Sequence, residues 1–361
     1  MPKRDALSVL AAQHSLYFRP LPHGHGSLRP IFSAAMAQRR RWTQYTSRLV
    51  MLAANSTAQE RLNDAHCHFL SAGFFDTLAK DPAAPAVTDP AVELPARLGW
   101  DPPGSPESLA DRWVAELDRH HIHRAALMAS VPNDEDSVAL AVSRHPTRLV
   151  GMTMLNPTAP GATERAERAV AGLGLRSICL FPAMHHFSLD DDHVAAIFQV
   201  ASDHKAAIFV HCGVLSIGAR KKLGLPSHFD IRLGDPLALI PVASTFPTVT
   251  VIIPHFGAGF FRETLMAADL CSNIHVDTSS SNAWTKYVPP IRLADAFRRT
   301  IEVLGPDRVL FGSDSSFFPR GWQMPVYNAQ RKALAAIDAD VNTQQAIFQS
   351  NFDRVFGPTG C

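Results

Sequence analysis

The chain has 361 residues, 46% hydrophobic and 19% charged, which suits a globular protein with a sizeable core. Its formal net charge of +1 leaves no overall electrostatic footprint for nucleic acid or a membrane surface, and no window approaches the roughly eighteen uninterrupted apolar residues of a membrane span. Cys67, Cys179, Cys212, Cys271 and Cys361 are odd in number and form no CxxC pair, which disfavours a disulfide framework and favours a reducing, cytoplasmic setting.

Residues 1–60 differ from the rest. Between Ala6 and Gln59 there is no Asp or Glu, yet Arg19, Arg29, Arg39, Arg40, Arg41 and Arg48 all occur. An Arg-rich, acid-free stretch also fits an organelle transit peptide. The apolar positions show no sustained helical stripe, however, so the segment is read as an extension of low order, with Met51 as an available later start. His14, His23 and His25 in this extension are left out of the candidate site.

Residues 61–358 are read as one domain of alternating elements. Strands are predicted at 62–65, 124–128, 149–154, 175–181, 206–210, 249–253, 274–276 and 309–311. Amphipathic stretches lie between them at 108–120, 137–145, 163–171, 191–204, 236–246, 259–270 and 293–304. Short continuous apolar runs followed by crossover helices are the pattern of buried parallel strands, and eight of them predict a (β/α)8 TIM barrel, an α/β fold. Two insertions, 80–106 and 214–234, fall after the first and fifth strands, on the face where loops set substrate choice.

Four short pieces stand where apolar runs stop: Asp64-Ala65-His66-Cys67-His68, Val210-His211-Cys212-Gly213, Pro254-His255-Phe256-Gly257 and Phe311-Gly312-Ser313-Asp314. In a parallel barrel all the strands' C-terminal ends face one way, so these pieces converge on a single mouth. His66 and His68, two apart on a strand, point to the same side. Without a ligand, five polar residues would be buried there with unpaired groups, at about 1–3 kcal/mol or more each. Imidazole nitrogens and a carboxylate in this set suit one divalent metal ion, with Zn²⁺ expected and Mn²⁺ the other choice.

The set His-x-His, His, His, Asp on this strand schedule resembles the amidohydrolase superfamily, in particular the amidohydrolase-related branch that includes aminocarboxymuconate-semialdehyde decarboxylase. The resemblance spans residues 62–357, because the run from Asn351 to Gly357 is similar to that branch's closing segment. It implies that His66, His68, His211 and Asp314 are metal ligands, with His255 beside the metal-activated water. Binuclear relatives carry a carboxylated lysine on the fourth strand. The run from Gly174 to Pro182 offers neither an inward-pointing Lys nor a Glu, with Cys179 at the position where relatives often have one, so one metal is expected. Cys179 and Cys212 are read as small buried apolar residues.

A bound Zn²⁺ lowers the pKa of its water to about 7 and polarises a carbonyl. Asp314 is expected to accept and return the proton, and His255 to orient the nucleophile or stabilise charge on the substrate oxygen. The expected activity is a metal-dependent hydrolase acting on a small carboxylated or cyclic substrate. The alternative is a non-oxidative decarboxylase of an aromatic or unsaturated acid, since the branch holds both chemistries. Arg232 and Arg320 are candidates for binding a substrate carboxylate, while Lys221 and Lys222 are read as a solvated face. His185, Phe318 and Trp284 are candidate substrate contacts. Asp277 to Asn282 are expected to offer hydroxyls to the substrate or to cap the next helix. The partner is a small molecule, with a homodimer left open.

Overall fold

The computed structural model describes residues 61–279 and 284–357. The low-order extension expected over residues 1–60 lies outside the described residues. Eight strands appear: β1 (Leu62–Phe69), β2 (Ile122–Ala129), β3 (Leu149–Leu155), β4 (Ser177–Leu180), β5 (Ala207–Val210), β6 (Val251–Ile253), β7 (Ile274–Asp277) and β8 (Val309–Leu310). They pair in parallel in sequential order. The return from β8 to β1 is made by the segment just beyond β8: Ala65 N bonds Phe311 O at 2.9 Å, Asp314 N bonds His66 O at 2.9 Å, and His68 N bonds Ser315 O at 2.7 Å. The expected TIM barrel is the fold observed.

Two apolar layers hold it. Alternate strand positions, among them Ala126, Met128, Val150, Met152, Met154, Cys179, Ala207, Phe209 and Leu310, fill the interior. The opposite faces pack on the helix ring through residues such as Leu127, Ile178, Ile208, Val251, Trp113, Phe198 and Phe297. Fully burying a side chain of this size contributes about 1.5–3 kcal/mol. The helices start where the sequence caps them: Ser105 accepts from Ser108 N ahead of Pro106–Arg119, and Asp191 accepts from His193 N ahead of Asp192–His204. Cys179 and Cys212 are free and fully buried, and burial pushes both thiols up, which agrees with their reading as small apolar fillers.

Residues 351–357 form the barrel floor. Phe352 and Phe356 enter the interior layer. Arg124 on β2, nearly fully buried, donates to Asp353 Oδ1 at 2.8 Å and to Gly357 O at 2.7 Å.

The insertions are more ordered than loops. Residues 80–106 contain the helix Pro90–Leu98, and residues 214–234 contain the short helix Gly218–Lys222. Together with the helix Ala72–Ala79 they share a third apolar core of Phe74, Phe75, Leu94, Leu98, Trp100, Ala219 and Leu225. An Arg220–Asp81 ion pair at 2.5 Å ties one insertion to the other. None of the helices among the described residues is long and apolar enough to cross a membrane.

Candidate metal centre

β1 delivers two imidazoles to the mouth. The β1–β2 register shifts between Asp64 and Cys67, a local irregularity of the kind that re-aims side chains. His66 Nε2 and His68 Nε2 come within 3.4 Å of each other. Asp314 Oδ1 lies 3.1 Å from His68 Nε2 and 3.8 Å from His66 Nε2.

The far nitrogens of these rings are already committed. His66 Nδ1 faces Asp277 Oδ2 at 2.8 Å, and a carboxylate only accepts, so the proton sits on Nδ1. Ser130 Oγ donates to Met128 O at 3.2 Å and therefore accepts from His68 Nδ1 at 3.0 Å. Both Nε2 atoms point at the same small volume as the Asp314 carboxylate, and a divalent ion there would take the place of any proton they carry. With oxygen partners on both back nitrogens, this donor set fits a divalent cation.

His255 follows β6 in the turn His255–Gly257. Its Nδ1 donates to Ser279 O at 2.8 Å, which leaves Nε2 as an acceptor. His211 follows β5, stacks on Phe181 with ring centres 5.3 Å apart, and stands 5.2 Å from the His255 ring. Alone among the four imidazoles, its Nδ1 has no hydrogen-bond partner among the described residues. Gly213, at φ +77°, lets the chain turn away after His211, because a Cβ there would fall 2.2 Å from Gly257 O. His66, His68 and Asp314 gather their ligand atoms within 4.8 Å of one another, a set that does not include His211. His66, His255 and Asp277 also cluster, but Ser279 Oγ lies among them, 2.8 Å from His66 Nδ1 and 2.9 Å from His255 Nδ1, so hydrogen bonds account for that group.

Charge follows from this geometry. Burial disfavours protonation of His66, but the Asp277 carboxylate, aided by Asp314, outweighs it and raises the pKa to about 9. Burial pushes the Asp314 carboxyl up, yet His68 beside it and the positive charge of His66 hold it well below the carboxylate range. Burial, together with the neighbouring imidazoles, lowers His211 and His255, keeping both neutral. Asp314 and His255 hold left-handed backbone, φ 59° and 56°, a conformation that costs non-glycine residues about 1–3 kcal/mol and clusters at functional sites.

The remaining candidates divide. Arg320 is exposed at the mouth and stacks 4.4 Å above Phe317. It donates to Ser316 Oγ at 2.6 Å and is electrostatically coupled to Asp314. His185 closes the turn Pro182–His185 with a buried, unpartnered Nδ1, and burial lowers its pKa to about 4. Arg232 is 87% exposed and paired with Asp230 at 2.6 Å, so its charge is turned to solvent and already compensated. Trp284 is buried against Phe256 and Phe261, at 5.9 and 5.3 Å, and is packing rather than a pocket wall. Phe318 packs on Trp113 at 5.3 Å under the Arg112 guanidinium, again away from the ligand cluster.

Asp277, expected in a run that offers hydroxyls to the substrate or caps the next helix, is the partner of His66, and positions 280–282 of that run lie outside the described residues. Ser130, which the sequence did not mark, is the partner of His68. Trp100, inside the first insertion, stacks on Phe317 at 3.8 Å, with Lys222 Nζ 5.6 Å from its ring. Asp277 carried a signal, standing as it does at the end of β7. Trp100 carried none.

The sequence model of the amidohydrolases matches residues 63–357. The chain belongs to the amidohydrolase family. Among solved structures, this amidohydrolase is similar to 5-carboxyvanillate decarboxylase from Sphingomonas paucimobilis at 17% identity and a TM-score of 0.56, over 83% of this chain and 100% of that one. The Novosphingobium aromaticivorans 5-carboxyvanillate decarboxylase, complexed with manganese and 4-hydroxy-3-methoxy-5-nitrobenzoic acid, matches at 17% identity and 0.57, over 82% and 96%. A probable 2-pyrone-4,6-dicarboxylic acid hydrolase from Acinetobacter baumannii, with citric acid bound, matches at 15% and 0.54, over 82% and 99%. At such identities the likeness is one of fold. Family membership and the His/Asp cluster together support an enzyme that uses a divalent metal.

Proposed function

We propose that this amidohydrolase is a hydrolase of a small, carboxylated, cyclic substrate, working with one divalent ion held by His66, His68, His211 and Asp314. The observation that carries the reading is the convergence of His66 Nε2 and His68 Nε2, 3.4 Å apart, with an ionised carboxylate 3.1 Å from the latter. Zn²⁺ is the proposed ion, and the manganese in a structural relative makes Mn²⁺ the first to test against it. A divalent ion in such a site lowers the pKa of water to about 7 and polarises a substrate oxygen.

The chain's own groups do the rest. Asp314, ionised at neutral pH, takes a proton from the attacking water and returns it to the leaving group. His255, with its proton fixed on Nδ1 by Ser279 O, presents Nε2 as an acceptor and orients that water. Arg320, stacked and steered by Ser316, holds the substrate carboxylate. Neutral His185 offers a further polar contact. The structural relatives are named for carboxylated rings, in keeping with an anionic, planar ligand.

The test is a panel of carboxylated lactones, esters and amides, assayed for ring opening or cleavage, beside carboxylated phenols assayed for CO₂ release. Water-dependent cleavage that Asp314→Asn abolishes supports the proposal. CO₂ release without hydrolysis replaces it with the decarboxylase reading.

A further inference from the structure

Asp314 and Arg320 both ride on the segment between β8 and the helix Met324–Ala335, and that segment is gripped at one residue. Trp322 is buried between two buried carboxylates. Its backbone N–H donates to Glu116 Oε1 at 2.8 Å, and its indole Nε1 donates to Asp64 Oδ2 at 2.7 Å. The other oxygen of Asp64 accepts from His66 N at 3.0 Å and from Ser313 N at 3.1 Å. One carboxylate thus joins the backbone of a ligand on β1 to the residue before a ligand beyond β8. Glu116, on the helix Pro106–Arg119, is further engaged by Arg119 and by His120 Nε2 at 3.3 Å. Gly321, at φ +61°, permits the grip, since a Cβ there would lie 2.1 Å from Glu116 Oε1. Just beyond, Gln323 N donates to Ser315 Oγ at 2.9 Å.

We propose that Trp322 is a positioning residue, clamped by Glu116 and Asp64, which sets the separation of His66 and Asp314 and so the affinity of the site for its divalent ion. The proposal rests on the metal reading above. Asp314 occupies an unfavourable left-handed conformation, and a segment free to relax would turn its carboxylate away from His68. Glu116 and Asp64 are buried charges whose cost is offset only when their donors are in place, so the clamp closes in one geometry.

The experiment measures Mn²⁺ dissociation constants by chelator competition. Trp322→Phe keeps an aromatic ring while removing the Nε1 donor together with the volume of the second ring. Gly321→Ala keeps the indole and forces the chain off Glu116. Phe198→Leu, in the fully buried helix-ring core of Asp192–His204, is the control for stability loss alone. Trp322→Phe and Gly321→Ala should weaken Mn²⁺ binding about tenfold or more, the scale for groups that orient metal ligands, while Phe198→Leu at an equal loss of melting temperature should not. Equal affinities for Trp322→Phe and wild type, or equal weakening by Phe198→Leu, would overturn the clamp and leave the metal centre standing. A wild-type protein that binds neither Mn²⁺ nor Zn²⁺ would remove the metal reading and the clamp with it.

Discussion

Asp277 Oδ2 accepts the Nδ1 proton of His66 across 2.8 Å, while Asp277 Oδ1 takes the Ser279 backbone N–H at 2.7 Å. The carboxylate therefore fixes the tautomer of His66 and its ring plane together, and its own orientation is fixed from the neighbouring turn. Asp277→Asn removes the charge and lets an amide N–H face the imidazole. It should weaken metal binding by about 10–100-fold, measured by titration calorimetry with Zn²⁺ or Mn²⁺.

Purified protein should contain about one divalent ion per chain, as the four proposed ligands suit a single tetrahedral site. His211→Ala should lose most of it on dialysis against chelator. Elemental analysis with a stable ratio near two would rule out the mononuclear site.

His255 is assigned to the water and not to the ion. His255→Asn should retain metal while turnover falls by a factor on the order of 10²–10⁴. In Asp314→Asn, occupancy and rate should fall together. If His255→Asn lost metal as readily as His211→Ala under the same chelator, His255 would be a ligand.

The two arginines proposed from sequence should separate kinetically. Arg320→Ala removes a charge-assisted hydrogen bond worth about 1.5–3 kcal/mol and should raise KM for a carboxylated substrate by roughly 10–100-fold. Arg232→Ala should change KM by less than about twofold, since its guanidinium faces solvent beside Asp230. Steady-state kinetics with one hydrolysed substrate settles both.

Burial lowers His275 on β7, as it does His185, to a pKa of about 4. In the unfolded chain an imidazole titrates near about 6.5. Between those values the unfolded state binds protons that the folded state refuses, so their stabilisation is full above about pH 6.5 and is lost as the pH falls toward 4. His66, raised to about 9, titrates above this window and does not blur it. His275→Gln should flatten the acid slope of unfolding free energy by up to about 1.4 kcal/mol per pH unit, read from urea denaturation at a series of pH values.

The barrel was legible because each buried strand writes itself as an apolar run ending in a polar residue. The runs at Ala207–Val210 and Val251–Ile253 do so before His211 and His255. The convergence of His66, His68 and Asp314 followed from that topology. What the sequence hid depends on packing at long range. The helix Pro90–Leu98 contains Pro95 and is held in place by residues of a distant insertion, so local periodicity says little about it. Trp284 and Phe318 carry the same composition signal as a pocket aromatic, and only their neighbours, Phe261 and Trp113, show that they are core. Arg232 and Arg320 sit in similar contexts in the chain, and Asp230 alone distinguishes them.

The floor built from Phe352 and Phe356 bears on the order of biosynthesis. Arg124 on β2 has its carboxylate in Asp353, and Asn63 on β1 reaches Gln349 O at 3.3 Å, so β2 and β1 wait for partners 229 and 286 positions later. Contacts of that span are slow to form, and chains that expose unfinished apolar surface meanwhile are prone to aggregate. A nascent chain arrested before Asn351 would hold every proposed ligand of the metal centre yet lack the two rings that cork its barrel. The ion would therefore be expected to enter only once that floor has been made, into a barrel already sealed from below.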